Sequence, residues 1–471
     1  MEVPVFNLSG LNLQLNPLLI KEGQAIRSVN VDGYPFGATT KRPGYIKYLG
    51  TPDNSTVKSL FDFQLPSGTQ LFLYRVSGSI IYHSIQGTGA WTVSGNGTIA
   101  NGGHLGHTVL GGTMIVGDGA GSTRHTTNGT SFTNTTAAPI SEGWEEYQGR
   151  AYASGTASIL TYSVSTDITN WSTTGTSDSS SLFIPGAGRN GLPVKLNNRL
   201  IQNKTSGLQY RWDGFNLFDT ATALGPSSPY SFDKTEDVGF WLNRLGFFSS
   251  GGGKPQLISN PIQRQIYNDK GEGIAGTSFN QAPGEVHRYD YFCAVGSVTD
   301  DLTDETVPNA IMKYDYQLND WRNYEFANFP TAMCSFKDVN GVQQFIFGAA
   351  NGQCYQVSGT AFSDDGAPIA SVQQYLIHGN APHVDKNWKM LRLYFNPSSE
   401  ARIQIAITNA FYPSALNWVD LGDSGNGYVE YSFPAGSRGR LLFLKIADSS
   451  RNTRYSFYGF EYDFDPIPTR K

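Results

Sequence analysis

A strand–turn–aromatic unit recurs through the middle of this 471-residue chain at near-constant spacing, and that periodicity limits its folds more than any other feature. Each copy reads as an apolar-aromatic strand, a polar turn, and a Trp or Phe that opens the next strand. The clearest copies are IIYHSIQGTGAWTV (80–93), LTYSVSTDITNWST (160–173) and IMKYDYQLNDWRNY (311–324). Weaker ones are STRHTTNGTSFTN (122–134), LQYRWDGFNLFDT (208–220) and CYQVSGTAFSDDG (354–366). The marker aromatics are Trp91, Phe132, Trp171, Phe218, Trp321 and Phe362, separated by 41, 39, 47, 103 and 41 residues. The long interval is about twice the others, which predicts one degenerate copy around Gln265–Gly276 and about seven units in all. Two further strands precede the marker in each unit: Val57–Leu65 and Leu71–Val76 before Trp91, His107–Leu110 and Thr113–Gly117 before Phe132. A period of about 40–50 residues built from four short strands is the mark of a β-propeller. One such blade leaves both of its faces wet. Blades stacked around an axis cover one another and leave few open edges.

Composition agrees with strands. The 53 glycines and 23 prolines supply turns, aromatics make up 13% of the chain, and charged residues only 15%, where about 25% is usual. A helical protein would carry more Ala, Leu, Glu and Lys; only Pro17–Val29 shows any helical period. The net charge of −5 is too small for a disordered chain and gives no general field to attract nucleic acid. No run approaches the roughly 18 apolar residues of a membrane span, so no membrane insertion is expected. The opening MEVPVFNLSG has no basic segment followed by an apolar one, so no secretory leader is expected. Cys293, Cys334 and Cys354 are too few and too scattered for a disulfide framework or a zinc site, and read as buried thiols of a protein made in the cytoplasm.

The expected fold is all-β in three parts. Residues 1–50 form an extended arm whose segment Gly44–Gly50 is placed to complete the last blade. Residues 51–367 form the propeller, and residues 368–471 a small β-sandwich or jelly roll. In that last part strands start near Met390, Arg402, Tyr428, Arg440 and Tyr455, separated by turn clusters such as GDSGNG (422–427) and PAGSRG (434–439).

The motifs that resemble catalytic ones read better as structure. Gly422-Asp423-Ser424-Gly425 spells a serine-protease nucleophile loop, but only His378 and His383 lie in that region, and hairpin turns favour the same residues. The glycine-rich Gly117–Gly121 precedes no helix, and Gly253-Lys254 lacks the rest of a phosphate loop. His104, His107 and His125 have no accompanying ligand cluster, and the acidic run Asp300, Asp301, Asp304, Glu305 lacks the order of a calcium loop. Ser165–Trp171 partly resembles the Asp-box turn of sialidases, without its Gly and with Trp one position early. Arg124, Arg150, Arg199, Arg211, Arg244 and Arg288 stand on different units. No catalytic, cofactor-binding or metal-binding residue is therefore expected, and no cofactor.

The arm reads Asn16-Pro17-Leu18-Leu19, Glu22-Gly23-Gln24-Ala25, Val29-Asn30-Val31 and then Gly37-Ala38-Thr39-Thr40-Lys41-Arg42-Pro43-Gly44-Tyr45. This resembles the opening of a family of bacteriophage virion proteins found among tail and head–tail connector components. The resemblance implies a non-enzymatic structural subunit of the nozzle type in the virion tail, made in the host cytoplasm. Its partners would be copies of itself in a ring (a hexamer favoured), other tail or adaptor proteins, and viral DNA in passage. It assigns structural or assembly roles to Asn16, Pro17, Gly23, Asn30, Lys41, Arg42, Pro43, Gly44 and Tyr45. In that stretch Pro43 fixes its own backbone, Gly44 permits the turn, and Tyr45 anchors the entering strand. The rival readings are a receptor- or glycan-binding tail protein and, behind it, a glycan-cleaving propeller enzyme, which would need paired carboxylates in a pocket.

Overall fold

In the computed structural model the chain is all-β and its middle is arranged as a β-propeller. The structure describes residues 2–13, 20–33, 37–68, 70–86, 90–100, 103–154, 158–173, 178–221, 224–268, 271–274, 278–299, 306–397, 400–410 and 415–467. Six contiguous segments each fold into a four-stranded antiparallel blade: 57–98, 106–134, 144–183, 190–221, 233–257 and 284–325. The ring is closed by a composite sheet. Pro330–Lys337, Gln343–Ala349 and Cys354–Ser358 take Gly44–Tyr48, from the other end of the chain, as their fourth strand. Pro330–Lys337 in turn packs on Val57–Gln64 of the first blade.

Apolar layers between blades hold the ring. Phe61 and Tyr74 of the first blade stack at 5.1 Å and pack with Met114 and Phe132 of the second. Tyr147 and Leu160 of the third blade meet Leu200 and Tyr210 of the fourth. Each fully buried side chain of this size contributes roughly 1.5–3 kcal/mol, which is why a blade is stable only between neighbours.

The expectation of about seven units from the markers is not met as stated, because six blades are contiguous. The copy expected at Gln265–Gly276 is not a blade. It is a helical turn, Gln263–Ile266, with a two-residue hairpin, Tyr267–Asn268 against Gly271–Glu272. Its apolar residues, Ile262, Ile266 and Ile274, fill the gap between the fifth and sixth blades. The unit hidden in the long interval lies earlier, at 233–257, with a fourth strand, Gln256–Leu257, that carries no aromatic. Elsewhere the markers sit where the repeat requires. Trp91 and Phe132 precede fourth strands, while Phe218 and Trp321 lie within them. Trp171 occupies the preceding turn, edge-on to Trp144 at 5.7 Å. Phe362 follows the third strand of the composite sheet, whose fourth strand comes from the arm.

The helical period at Pro17–Val29 gives no helix: Gln24–Val29 is a strand, and residues 14–19 lie outside the described residues. It fills the gap between two open strand edges, running parallel to Asp320–Glu325 of the sixth blade and antiparallel to Ser371–Ile377. Unpaired backbone on both sides outweighs a weak local preference. The result is one ten-stranded sheet that runs from the sixth blade through the arm into Ser371–Ile377, Leu441–Asp448, Arg402–Thr408 and Val419–Asp423. A second sheet, built on Lys386–Phe395 and Ser456–Pro466, packs across its far half. Tyr375, Ile405 and Leu444 of one face Trp388, Leu391 and Phe460 of the other.

Candidate functional site

Of the residues that carry the sequence resemblance, Asn30 and Lys41–Tyr45 converge on one buried joint. Asn30 turns the chain with φ of 58°, a region that Asn tolerates better than most residues. Its Nδ2 donates to the Ala370 carbonyl at 2.8 Å, and its Oδ1 accepts from Arg42 Nε and from the Glu325 amide, both at 2.7 Å. Arg42 has no exposed surface. Its guanidinium grips Asp364 with two bonds of 2.8 and 2.6 Å, donates to the Glu325 and Pro43 carbonyls at 2.6 and 2.9 Å, and lies 4.5 Å over the Phe326 ring. Lys41, equally buried, pairs with Asp448 at 3.0 Å and donates to the Ser450 carbonyl. Both cations are neutralised inside the protein, so they hold the fold and offer nothing to an outside partner.

Beyond Pro43 the backbone passes so close to Ser363 that a Cβ on Gly44 would lie 2.1 Å from its carbonyl oxygen. Tyr45 then enters a ring cluster with Phe326, Phe347 and Tyr355, all about 5 Å away. Its hydroxyl accepts the Asn328 amide at 2.9 Å, and burial pushes the phenol up to about 12. Gly23, with φ of 89°, occupies the left-handed region, and a Cβ there would meet the Asn7 carbonyl at 2.8 Å. Asn16 and Pro17 lie outside the described residues.

A second constellation lines the propeller axis, on the first strands of the blades. Glu145 accepts from Lys234 Nζ at 2.6 Å and from the Lys195 amide at 2.9 Å, while Lys195 Nζ reaches Glu146 at 2.8 Å. Asp233 accepts the Val286 amide at 2.5 Å, and Glu285 accepts the Ser335 amide at 2.7 Å. Burial lifts the Asp233 carboxyl to about 6, outweighing the Val286 and Lys234 amides and the Lys234 charge. Burial, reinforced by the Asp233 charge, holds Glu285 well above the ordinary range, and Asp62 is raised by burial too. The sequence signal for Asp62 and Glu285 is a single acid in a first strand, as in VKSLFDFQ and GEVH. At one end His104 stacks on Tyr230 at 3.5 Å. The linker between the first two blades thus meets the linker between the fourth and fifth across the axis.

The other motifs resolve into local structure. Ser424 is fully buried and accepts the Ala401 amide at 3.1 Å. Asp167 caps its own turn through Thr169, and Trp171 Nε1 donates to the Ile168 carbonyl. Burial lowers both His104 and His107 to about 4, and His107 lies 4.4 Å over Phe61. His125 bonds Thr135. Arg150 pairs with Asp178 and Arg211 covers Phe218, each within its own blade. Asp118 receives the Ala120 and Gly121 amides. Residues 300–305, with the acidic run, lie outside the described residues. All three cysteines are buried thiols, and burial pushes Cys293 up to about 12. Among the described residues no group of three or more His, Cys, Asp or Glu side chains is placed to hold a metal ion. No helix among them is long and apolar enough to cross a membrane.

No family model and no curated protein matches the chain. Solved structures similar to it include a computationally designed protein, Ika8 (9% identity, TM-score 0.41, 67% of this chain and 99% of that one). YCF48 from Cyanidioschyzon merolae is similar at 12% identity and TM-score 0.42, covering 67% of this chain and 98% of that one. Sqt1 from Saccharomyces cerevisiae is similar at 9% identity and TM-score 0.42, covering 67% and 99%. At these identities and scores none of the three bears on function.

Proposed function

We propose that this chain is a structural subunit of a bacteriophage tail, in a nozzle, tail-tube or connector ring, serving virion assembly and DNA passage into the host. The observation that carries the reading is the position of the motif on which the resemblance rests. Asn30 and Lys41–Tyr45 make the buried joint between the closing sheet and the terminal sheets. A motif used for that joint marks a shared architecture rather than a shared reaction. The continuous sheet from the sixth blade into the terminal strands supports a rigid block, as ring assembly requires. The His104–Tyr230 contact across the axis argues that DNA runs between copies, in a lumen enclosed by the ring, and not through the propeller itself. Six copies are favoured by the resemblance, seated among other tail or adaptor proteins in the virion. A lumen without a strong positive lining lets DNA slide. Native mass measurement of the purified protein, followed by electron microscopy, tests this: closed rings support it, and a solitary monomer overturns it.

A second reading, a glycan-cleaving enzyme, is favoured by one observation, the neighbouring Asp233 and Glu285 carboxyls held up by burial. A carboxyl kept protonated near neutral pH is the acid such chemistry needs. Turnover of capsular or lipopolysaccharide substrate, lost on Glu285→Gln, would establish it; no turnover removes it.

A further inference from the structure

The arm lies along strand edges that all belong to the last third of the chain. Glu2–Val5 pairs with Ser456–Pro466, and Gln24–Val29 fills the gap between Asp320–Glu325 and Ser371–Ile377. Thr39–Lys41 reaches Ser456 and Phe457, and Gly44–Tyr48 pairs with Cys354–Ser358 over five residues. Together these edges form a berth for the arm, and the buried pairs Lys41–Asp448 and Arg42–Asp364 fasten it there. Neither backbone bonds nor ion pairs distinguish which copy supplies the strand. An arm from a second copy would make every one of these contacts, and only the connection to the first blade would differ.

That connection is short and bent. Asp53 is tied to the first blade by Arg75 at 3.2 Å and Ser77 at 2.8 Å, so the pivot is Leu49–Pro52. In the closed form Leu49 has φ of 48° and Gly50 φ of 63°. The left-handed region is unfavourable for the branched Leu side chain, while Pro52 biases Thr51 toward an extended backbone. Opening the pivot relieves the first and suits the second. Extended, it spans about 14 Å, enough for a copy in direct contact and for nothing further away.

We infer that the berth accepts the arm of a second copy, so that in the assembled protein each copy's Gly44–Tyr48 closes the composite sheet of the next. A head-to-tail exchange of this kind is a heterologous contact, which closes into a ring when the rotation permits. The inference deepens the ring reading and rests on it for the neighbouring copy.

The test uses the full chain. Ile46 and Gln356 are register partners across the arm–berth pair. Two differently tagged chains, one Ile46→Cys and the other Gln356→Cys, are co-expressed so that arms dock during folding, then oxidised. A second mixture uses Glu2→Cys with Asp463→Cys, partners at the other end of the arm. Exchange predicts a disulfide between the two tags for about half of the cysteine-bearing arms, the share set by random mixing of two chains in equal amounts. Double variants in a single chain show the yield that each pair permits. Native mass of the same samples separates the two ideas. Rings without a disulfide between tags in either mixture overturn exchange and leave the ring reading standing. Disulfide-linked pairs without rings support exchange and remove the ring reading. Monomers with neither overturn both.

Discussion

Arg42→Met removes a guanidinium from a site where it and its partner Asp364 are almost fully shielded, at 0% and 3% side-chain exposure. Leaving the Asp364 carboxylate buried without its counter-ion costs about 3–5 kcal/mol. The Asn30 side chain and the Glu325 carbonyl each lose a donor, at about 1 kcal/mol apiece. The expected destabilisation is therefore about 5–7 kcal/mol, read as a lower urea midpoint by tryptophan fluorescence. Asp364→Leu alone leaves the cation buried and should cost a similar amount. The double variant Arg42→Met/Asp364→Leu removes both charges and should recover most of the loss, to within about 2 kcal/mol of the parent. Hydrogen exchange locates the effect. Amides of Gly44–Tyr48 and Cys354–Ser358 should lose protection in Arg42→Met, while those of the second, third and fourth blades keep theirs. Additive single costs in the double variant, or exchange that rises evenly through all blades, would refute the joint.

Other positions give further outcomes. Gly44→Ala places a Cβ against the Ser363 carbonyl and should destabilise by about 1–3 kcal/mol in thermal unfolding; an unchanged midpoint contradicts the close approach. Asp233 holds its proton to about 6 when folded, against 3.8 as its ordinary value. The unfolded state therefore loses that proton first, and the folded state is penalised as pH rises from about 4 to above 6, by up to about 3 kcal/mol. Asp233→Asn should thus raise stability at pH 7 and match the parent below about pH 4; an equal shift at both ends of a melting series contradicts the assignment. Tyr230→Ala uncovers the His104 ring, which burial holds at about 4, and an NMR titration should find it moved toward the ordinary histidine value of about 6.5. A His104 that still titrates near 4 would show that the stack is not what shields it.

The fold was legible where a residue's local role matches its place in the repeat. Trp91, Phe132 and Trp321 mark fourth strands because a bulky side chain there packs against the neighbouring blade, whereas Phe218 marks one while staying exposed. The fifth blade carries no marker because its fourth strand is only Gln256–Leu257, and its aromatics lie instead in the hairpin Phe240–Phe248. The strand at Gln24–Val29 was illegible for a different reason. Its pairing partners lie about 300 residues away, and no local pattern records them. In the candidate site, Lys41-Arg42-Pro43-Gly44-Tyr45 was visible as a motif, but its counter-ions, Asp364 and Asp448, carry no signal of their own. The axial carboxylates are set by ring closure: Asp233 and Glu285 are 52 residues apart and meet only because the fifth and sixth blades are adjacent.

A reconstruction of the assembled full-length protein by electron microscopy, at a resolution that traces the backbone, bears most directly on the account. It should show copies in a closed ring around a common lumen, each with Gly44–Tyr48 as the fourth strand beside Cys354–Ser358 and with His104 against Tyr230 across its own axis. Isolated single chains, or a propeller axis open from end to end, would contradict it.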